Sequence, residues 1–373
     1  MGILSFGSGA PPVGLDIGSD HVRAAQLRSQ GSALVLSGYG SVDVPMGAVV
    51  EGEIVDTEGV AAAIRHLWRE VEATGKDVCV GVSNQKVVVR LIDLPYMDPA
   101  ELQGAIQYQA QDYIPIPIEE AILDFHIIGD YMTPADEHMM EVLLVAAQQD
   151  MIGAAVAAVE GAGLRLRRID VTSFAIVRAL MGAVPNVLPD EAETAEATAI
   201  IHISSGLTNI AVVERGVPRF TRVSSLAGNH FTQGIANVLN LTFDEAEDLK
   251  IRVGLPDIDG RPSVAHGLDP SVVQVAQESL EREVNKFIAE VRRSLDYYLT
   301  QATQIRSIKR IYMTGSGSQL SNMHLYLSRG LQAEVALLDP LARIQTVRSL
   351  EQALLADRMG CAPAVGLAMG GLQ

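Results

Sequence analysis

Cysteine is scarce. Only Cys79 and Cys361 occur in 373 residues, too few for a disulfide framework, and the usage fits a reducing compartment. Aromatic residues make up 5% of the chain, and no basic stretch interleaves with them, so a stacking platform for nucleic acid is missing. Positive charge is also short: 28 Lys and Arg stand against 45 Asp and Glu, a net charge of −17. That balance argues against a general basic surface for nucleic acid. No apolar run reaches the ~18 residues that a membrane-crossing helix needs. No Lys or Arg precedes Arg23, so the basic start of a secretory signal is absent. Phe6 stands where a myristoylation signal needs Ser or Thr.

Several catalytic signatures are missing as well. Gly75-Lys76 is followed by Asp77 and has the wrong upstream spacing for a P-loop. There is no His-Glu-x-x-His or Cys-x-x-Cys for zinc and no Gly-x-Ser-x-Gly elbow. The eight histidines are scattered and read as structural or exposed residues rather than ligands.

What is present is a globular α/β pattern. Hydrophobic residues make up 48% of the chain and charged residues 20%, enough to build two or three cores. Apolar runs at Val13 to Ile17, Val22 to Leu27 and Ala33 to Tyr39 predict a three-strand meander. Val60, Ile64, Leu67, Trp68 and Val71 predict a helix stopping at Gly75. Strands are predicted at Val78 to Val82 and Lys86 to Leu94. Asp98-Pro99-Ala100-Glu101 then reads as a capped helix start. Ile114-Pro115-Ile116-Pro117 forbids helix and favours an extended run. Strands at Ala121 to Ile128 and Met140 to Ala146 precede a small-residue helix from Met151 to Glu160. Pro185 to Thr198 carries two prolines and four acids and reads as a linker or exposed loop. Strands follow at Ala199 to Ile203, Asn209 to Glu214 and Pro218 to Val223. After a loop over Pro256 to Pro270, a long helix runs from Ser271 to about Gln301. A buried strand, Arg310 to Met313, leads into Thr314-Gly315-Ser316-Gly317-Ser318.

One feature organises this pattern. Leu15-Asp16-Ile17-Gly18-Ser19, a turn and a strand are echoed by Ile201-His202-Ile203-Ser204-Ser205, Gly206 and a strand from Thr208. Each copy opens a meander, which predicts a duplicated domain with a cleft between the copies. In the first turn, Gly18 lets the backbone approach a ligand and the successive N–H groups form an anion nest. Asp16 is a hard oxygen ligand suited to Mg²⁺, and Arg23 is placed to reach a phosphate. The same strand-Asp-x-Gly pattern also occurs in ordinary hairpins. The Gly315-to-Gly317 loop is either a bed for a flat ring or sugar, or a plain turn. Glu247 and Lys250 share a helix face, either gripping a nucleoside or forming a solvated pair.

Taken together, the two turns, Gly228-Asn229 before a helix, Ala246-Glu247-Asp248-Leu249-Lys250, the long helix and Gly-Ser-Gly resemble the layout of actin-fold (ribonuclease H-like) nucleotide-binding proteins. Within that group the chain is similar to the PilM family of type IV pilus assembly proteins, relatives of the FtsA division proteins. The closer match is carried by Val13 to Ser19, Leu94-Pro95 with Met97 and Glu101-Leu102, and Tyr113-Ile114-Pro115-Ile116-Pro117. It continues through Leu123-Asp124-Phe125, Leu143 to Ala147, Gly161-Ala162-Gly163-Leu164 and Ile169-Asp170. The resemblance covers almost the whole chain.

The resemblance implies two actin-like halves around a nucleotide cleft and an inserted subdomain. Residues 1–77 with 168–198 would form the first half, 78–167 the insertion and 199–373 the second half. It implies ATP and Mg²⁺ as ligands. Asp16, Gly18, Ser19 and Arg23 would form the first phosphate loop, with Asp16 on the metal. Ser204, Ser205 and Gly206 would form the second turn, with Gly228 and Asn229 near the phosphates. Glu247 and Lys250 would flank the nucleoside, and Gly315, Ser316 and Gly317 would contact adenosine. The family pattern has Asp-x-Gly in the second turn, where this chain has His202-Ile203-Ser204, so weak or absent hydrolysis is expected.

The implied partners are the cytoplasmic tail of a PilN-like inner-membrane protein and other inner-membrane and motor components of the pilus, with no nucleic acid. The implied location is cytoplasmic and peripheral to the inner membrane, through the partner only. The alternatives are the cytoplasmic actin-like part of a type II secretion protein and an FtsA-like division protein. The end at Leu372-Gln373 without a spanning helix, and the glycine-rich Ala364 to Gln373 without a basic face, favour the pilus reading over both. A sugar or acid kinase of the same superfamily would need a marked catalytic carboxylate, and none stands out.

Overall fold

The computed structural model describes residues 4–5, 12–31, 33–71, 73, 75–181, 196–214, 216–257, 267–302 and 307–372. The linker expected at 185–198 lies outside the described residues up to 195, as does most of the loop expected at 256–270.

The predicted repeat is realised as two sheets of the same design. In the first, Val13–Ile17, His21–Gln30 and Ala33–Asp43 form an antiparallel meander. Asp77–Val82 lies parallel beside the opening strand, and Arg165–Val171 lies parallel beside that. In the second, Glu196–Ile203, Thr208–Glu214 and Val217–Ser224 form the meander. Ser307–Thr314 lies parallel beside its opening strand, followed by Glu334–Leu337. The two turns superpose in hydrogen bonding. Gly18 N–H donates to the His21 carbonyl at 2.9 Å, and Ser204 N–H donates to the Leu207 carbonyl at 2.9 Å. Position 202 is therefore the counterpart of 16, and 204 of 18.

Apolar faces set the layers. The long helix Pro270–Gln301 lays Val273, Leu280, Val284, Phe287, Val291 and Leu295 onto the second sheet, together with helices Gly228–Leu239 and Phe243–Val253. Helix Thr57–Glu70 packs Val60, Ile64 and Leu67 against the first meander. It ends at Glu70 rather than running on to Gly75. Val71 is extended, and the Trp68 indole donates to the Gly75 carbonyl at 3.2 Å. Helix Thr172–Met181 lies between the halves and packs Ile176, Val177 and Leu180 against Ile200, Ala211 and Val213.

The insertion is a separate antiparallel sheet of Val88–Pro95, His138–Gln148 and Ala121–Met132, with His138–Gln148 in the centre. Helix Pro99–Ala110 covers one face through Leu102 and Ile106. Asp98 makes no side-chain capping bond, so Pro99 alone marks its start. The prolines hold Ile114 and Ile116 out of helix, and both isoleucines enter this subdomain's core.

Two expected boundaries move. Asp77–Val82 and Arg165–Val171 are strands of the first sheet, so the edges expected at 78 and 167 cut through it, and the inserted sheet spans 88–148. The second half does not keep the chain to its end. Gln345–Thr346 pairs with Ala33–Asp43. Leu350, Leu354, Ala364, Val365 and Ala368 then share a core with Ala25, Leu27, Leu36 and Tyr39 of the first half.

Candidate functional site

Both turns open into one cleft between the halves. Its inner part is a small cavity of about 60 Å3 bounded by Asp16, Gly18, Ser19, Arg23, His202 and Ser204. Its outer part, about 580 Å3, is bounded by Ser205, Gly228, Asn229, Glu247, Lys250 and Gly317, within the size range of small-ligand sites. Asp20 and Ser316 border both. Every residue expected at the site therefore borders this cleft except Gly206 and Gly315.

Those two glycines shape it instead. A side chain at Gly206 would strike the Ser19 side chain, so the close approach of the two turns at this point needs residue 206 to have none. Gly315 has φ +93 and lies against the Ile203 backbone, and its N–H donates to the Met359 carbonyl at 3.1 Å. Gly317 borders the outer cavity, but a Cβ there would strike the Ile203 side chain. The loop's glycines are thus fixed first by packing on the second turn.

Asp16 faces the inner cavity. Burial raises its carboxyl to about 6, Asp20 and Asp357 add to the rise, and Arg23 opposes it. Arg23 is buried and largely committed. Its Nε donates to Asp357 Oδ2 at 2.6 Å and its Nη2 to Asp357 Oδ1 at 3.2 Å, while Nη1 is 3.9 Å from Asp20. Tyr39 Oη also donates to Asp357 at 2.6 Å. Asp20 ties the halves together. Ser205 Oγ of the second turn donates to its Oδ2, and His21 Nδ1 is 3.0 Å from the same oxygen. Burial alone would raise the Asp20 carboxyl, but His21, Arg23 and Ser205 hold it well below the ordinary carboxylate range.

His202 differs from all of these. It is 4% exposed, and neither ring nitrogen has a hydrogen-bond partner among the described residues. Burial, helped by Arg23, pushes its pKa down to about 4, so the ring is neutral near pH 7. A neutral imidazole with two unpaired nitrogens at a cavity wall is suited to a polar ligand.

In the outer cavity, Glu247 and Lys250 form a part-buried pair, with Lys250 buried and Glu247 36% exposed. Lys250 Nζ donates to Glu247 Oε2 at 2.6 Å and to Thr232 Oγ1 at 2.9 Å, and Thr232 Oγ1 donates to Glu247. Gly228 and Asn229 donate their N–H groups to the Ser204 and Ser205 carbonyls at 3.0 and 2.8 Å. That anchors the helix to the turn, with Asn229 bordering the outer cavity.

Sequence reasoning missed Asp20, His21, Thr232 and Asp357. Thr232 lies one helical turn after Gly228, a spacing that could have flagged it. Asp357 is 334 positions from Arg23 and has no local signal.

Asp16 suits Mg²⁺, which keeps most of its waters and takes one or two carboxylates together with ligand phosphates. Among the described residues no group of three or more His, Cys, Asp and Glu side chains could cage an ion without them.

The family model described as type IV pilus assembly protein PilM matches residues 14–372. The cell division protein FtsA of Pseudomonas aeruginosa is 25% identical over 326 residues, 82% of this chain and 76% of that protein. Among solved structures, a PilM-PilN type IV pilus biogenesis complex matches with a TM-score of 0.79 at 24% identity, over 97% of this chain and 99% of that one. MreB5 of Spiroplasma citri bound to ADP matches with a TM-score of 0.52 at 14% identity, over 96% and 94%. The duplicated halves are actin-like.

Proposed function

Because the chain belongs to the type IV pilus assembly protein PilM family, we propose that it is an ATP-binding scaffold of a pilus machine that holds the tail of a PilN-like membrane protein. The observation that carries this reading is the meeting of two equivalent turns, one from each half, at a single cleft with a neutral His202 on its wall.

In this reading the nucleoside lies in the outer cavity beside Glu247 and Lys250, and the phosphates run inward past Ser205 and Ser19. Asp16 holds Mg²⁺, which neutralises phosphate charge when bound. Gly18 and Ser204 orient the phosphate tail through their turns. His202 offers a nitrogen to a phosphate oxygen or its water but brings no negative charge to order an attacking water around the metal. The site therefore binds ATP and turns it over poorly.

The tail groove is proposed where Asp124, Phe125 and His126 of the inserted sheet face Val171 and Phe174 of the first half. A part-exposed Phe125 at this junction, beside a small cavity of about 10 Å3, suits an extended peptide whose affinity rests on few residues. No helix among the described residues is long and apolar enough to cross a membrane. On the family resemblance we propose a cytoplasmic location at the inner membrane, reached through the partner.

Calorimetry tests the nucleotide site. Wild type is expected to bind one Mg·ATP, and Asp16→Asn to bind it at least about tenfold more weakly, the effect of losing one charge-assisted contact. Wild type showing no binding at millimolar ATP would overturn the reading.

A further inference from the structure

The neck of the cleft holds an anion of the protein's own. Asp20 borders both the inner and the outer cavity, so a phosphate chain running from one to the other must pass it. The Asp20 side chain folds back over the first turn. A Cβ at Gly18 would lie 3.5 Å from Asp20 Oδ1 and 3.6 Å from Arg23 Nη1. The carboxylate thus stands on the bare side of the glycine, where a ligand would approach the backbone. Its other oxygen, Oδ2, accepts from Ser205 Oγ of the second turn.

The groups around this carboxylate are those that phosphate oxygens take. His21 Nδ1 lies 3.0 Å from Oδ2, and its Nε2 lies 3.0 Å from Asp43 Oδ1, which steadies the ring from its far side. Arg23 Nη1 is 3.9 Å from Oδ1. A hydroxyl, an imidazole and a guanidinium from the two halves therefore converge on Asp20. They keep it ionised near pH 7. Ser205 Oγ has one proton to donate, and while Asp20 accepts it no phosphate oxygen can.

Given a nucleotide in this cleft, as proposed above, we propose that Asp20 is a built-in competitor for its phosphates. The carboxylate occupies a phosphate's place between the two turns, and a polyphosphate enters only by displacing it from Ser205. Asp16 and Asp20 then act in opposite directions. Removing the Asp16 charge weakens binding, because the metal loses a ligand. Removing the Asp20 charge strengthens it, because a like charge leaves the phosphate path. The gain is larger for ATP free of Mg²⁺, whose charge no metal offsets. A carboxylate that served the metal would show the reverse pattern.

The test is calorimetry on the intact chain with ATP and with inorganic tripolyphosphate, each with and without Mg²⁺. Asp20→Asn keeps the side chain's size and an oxygen for Ser205 but removes the charge. It is expected to bind Mg-free ATP and tripolyphosphate at least about tenfold more tightly than wild type. Asp20→Ala, which removes both oxygens, should show the same gain. A residue that only held the fold would lower the urea midpoint without raising affinity. Amide exchange without ligand reads the contact between the turns, and should be faster over 204–207 in Asp20→Ala than in wild type. Unchanged exchange there would overturn the proposal. So would wild-type affinity in both variants. Weaker Mg·ATP binding in Asp20→Asn, with Mg-free ATP unaffected, would make Asp20 a partner of the metal and overturn it too. No binding of either ligand by wild type or variants at millimolar concentration would remove the nucleotide reading as well. Wild-type binding without a gain in the variants would remove the competitor alone.

Discussion

At the turn of the first half an aspartate faces the cleft, and at the matching place in the second half an imidazole does. Burial gives the two groups opposite pH signatures. His202 titrates near 4 when folded against 6.5 when exposed, and Arg23 and Asp357 are the charges that act on it. Below pH 6.5 the unfolded chain takes up a proton that the folded chain refuses until about pH 4, so acidification through that window favours unfolding. Asp16 titrates near 6 when folded against 3.8. It takes its proton in the folded state first, so acidification through its window recovers stability. Removing the histidine should leave only the second effect. His202→Asn is expected to lose less stability than wild type between pH 7 and about pH 4.5, by on the order of 2–3 kcal/mol. Urea unfolding at the two pH values measures it, and equal losses in both proteins would contradict the assignment.

Among the elements, the last helix, Ala362–Gly370, shows how closely the first half is packed. A Cβ at Gly14 would strike the Ala364 carbonyl and the Ala368 amide, and one at Gly366 would strike the Ala175 carbonyl. The helix thus lies backbone to backbone against the opening strand and against helix Thr172–Met181. Gly366→Val is expected to lower stability by at least about 1–3 kcal/mol, the cost of overpacking. Gly104 is an internal control. It sits in a helix with open space around it, so Gly104→Ala should raise stability by up to about 1 kcal/mol. Denaturant midpoints of the two variants should move in opposite directions.

These elements also mark what the sequence could and could not show. The meanders, the long helix and the glycine turns were readable because alternation, 3.6-residue spacing and turn residues are local signals. The return of residues 345–370 to the first half was not, since nothing near Leu350 or Ala364 names its partners at Ala25 and Leu36. The boundaries at 78 and 167 slipped for a related reason: a strand's pattern does not say which sheet it joins. At the site, Asp16 and the Glu247–Lys250 pair stood on motif spacing, whereas Asp357 reaches Arg23 across the whole chain. The packing role of Gly315 and Gly317 on Ile203 was hidden too, because a glycine needed for close approach looks the same whatever approaches.

Across the whole molecule, the cleft lies between the halves and the proposed tail groove at the junction of insertion and first half. The two should be separable. A synthetic peptide of the cytoplasmic tail of a PilN-like protein is expected to bind the intact chain. An Asp124→Lys, Phe125→Ala double variant should lose at least tenfold in peptide affinity while its calorimetric Mg·ATP affinity stays unchanged. Unaltered peptide binding in that variant would place the tail elsewhere.

In the proposed scaffold ATP is held and not consumed. Single-turnover phosphate release from the intact chain loaded with Mg·ATP measures this. Release near the uncatalysed background is predicted for wild type. In His202→Asp, which restores a carboxylate opposite Asp16, release should rise on the order of 10- to 100-fold, the equivalent of one charged hydrogen bond in the transition state. Brisk release from wild type, well above background, would show that the site turns ATP over.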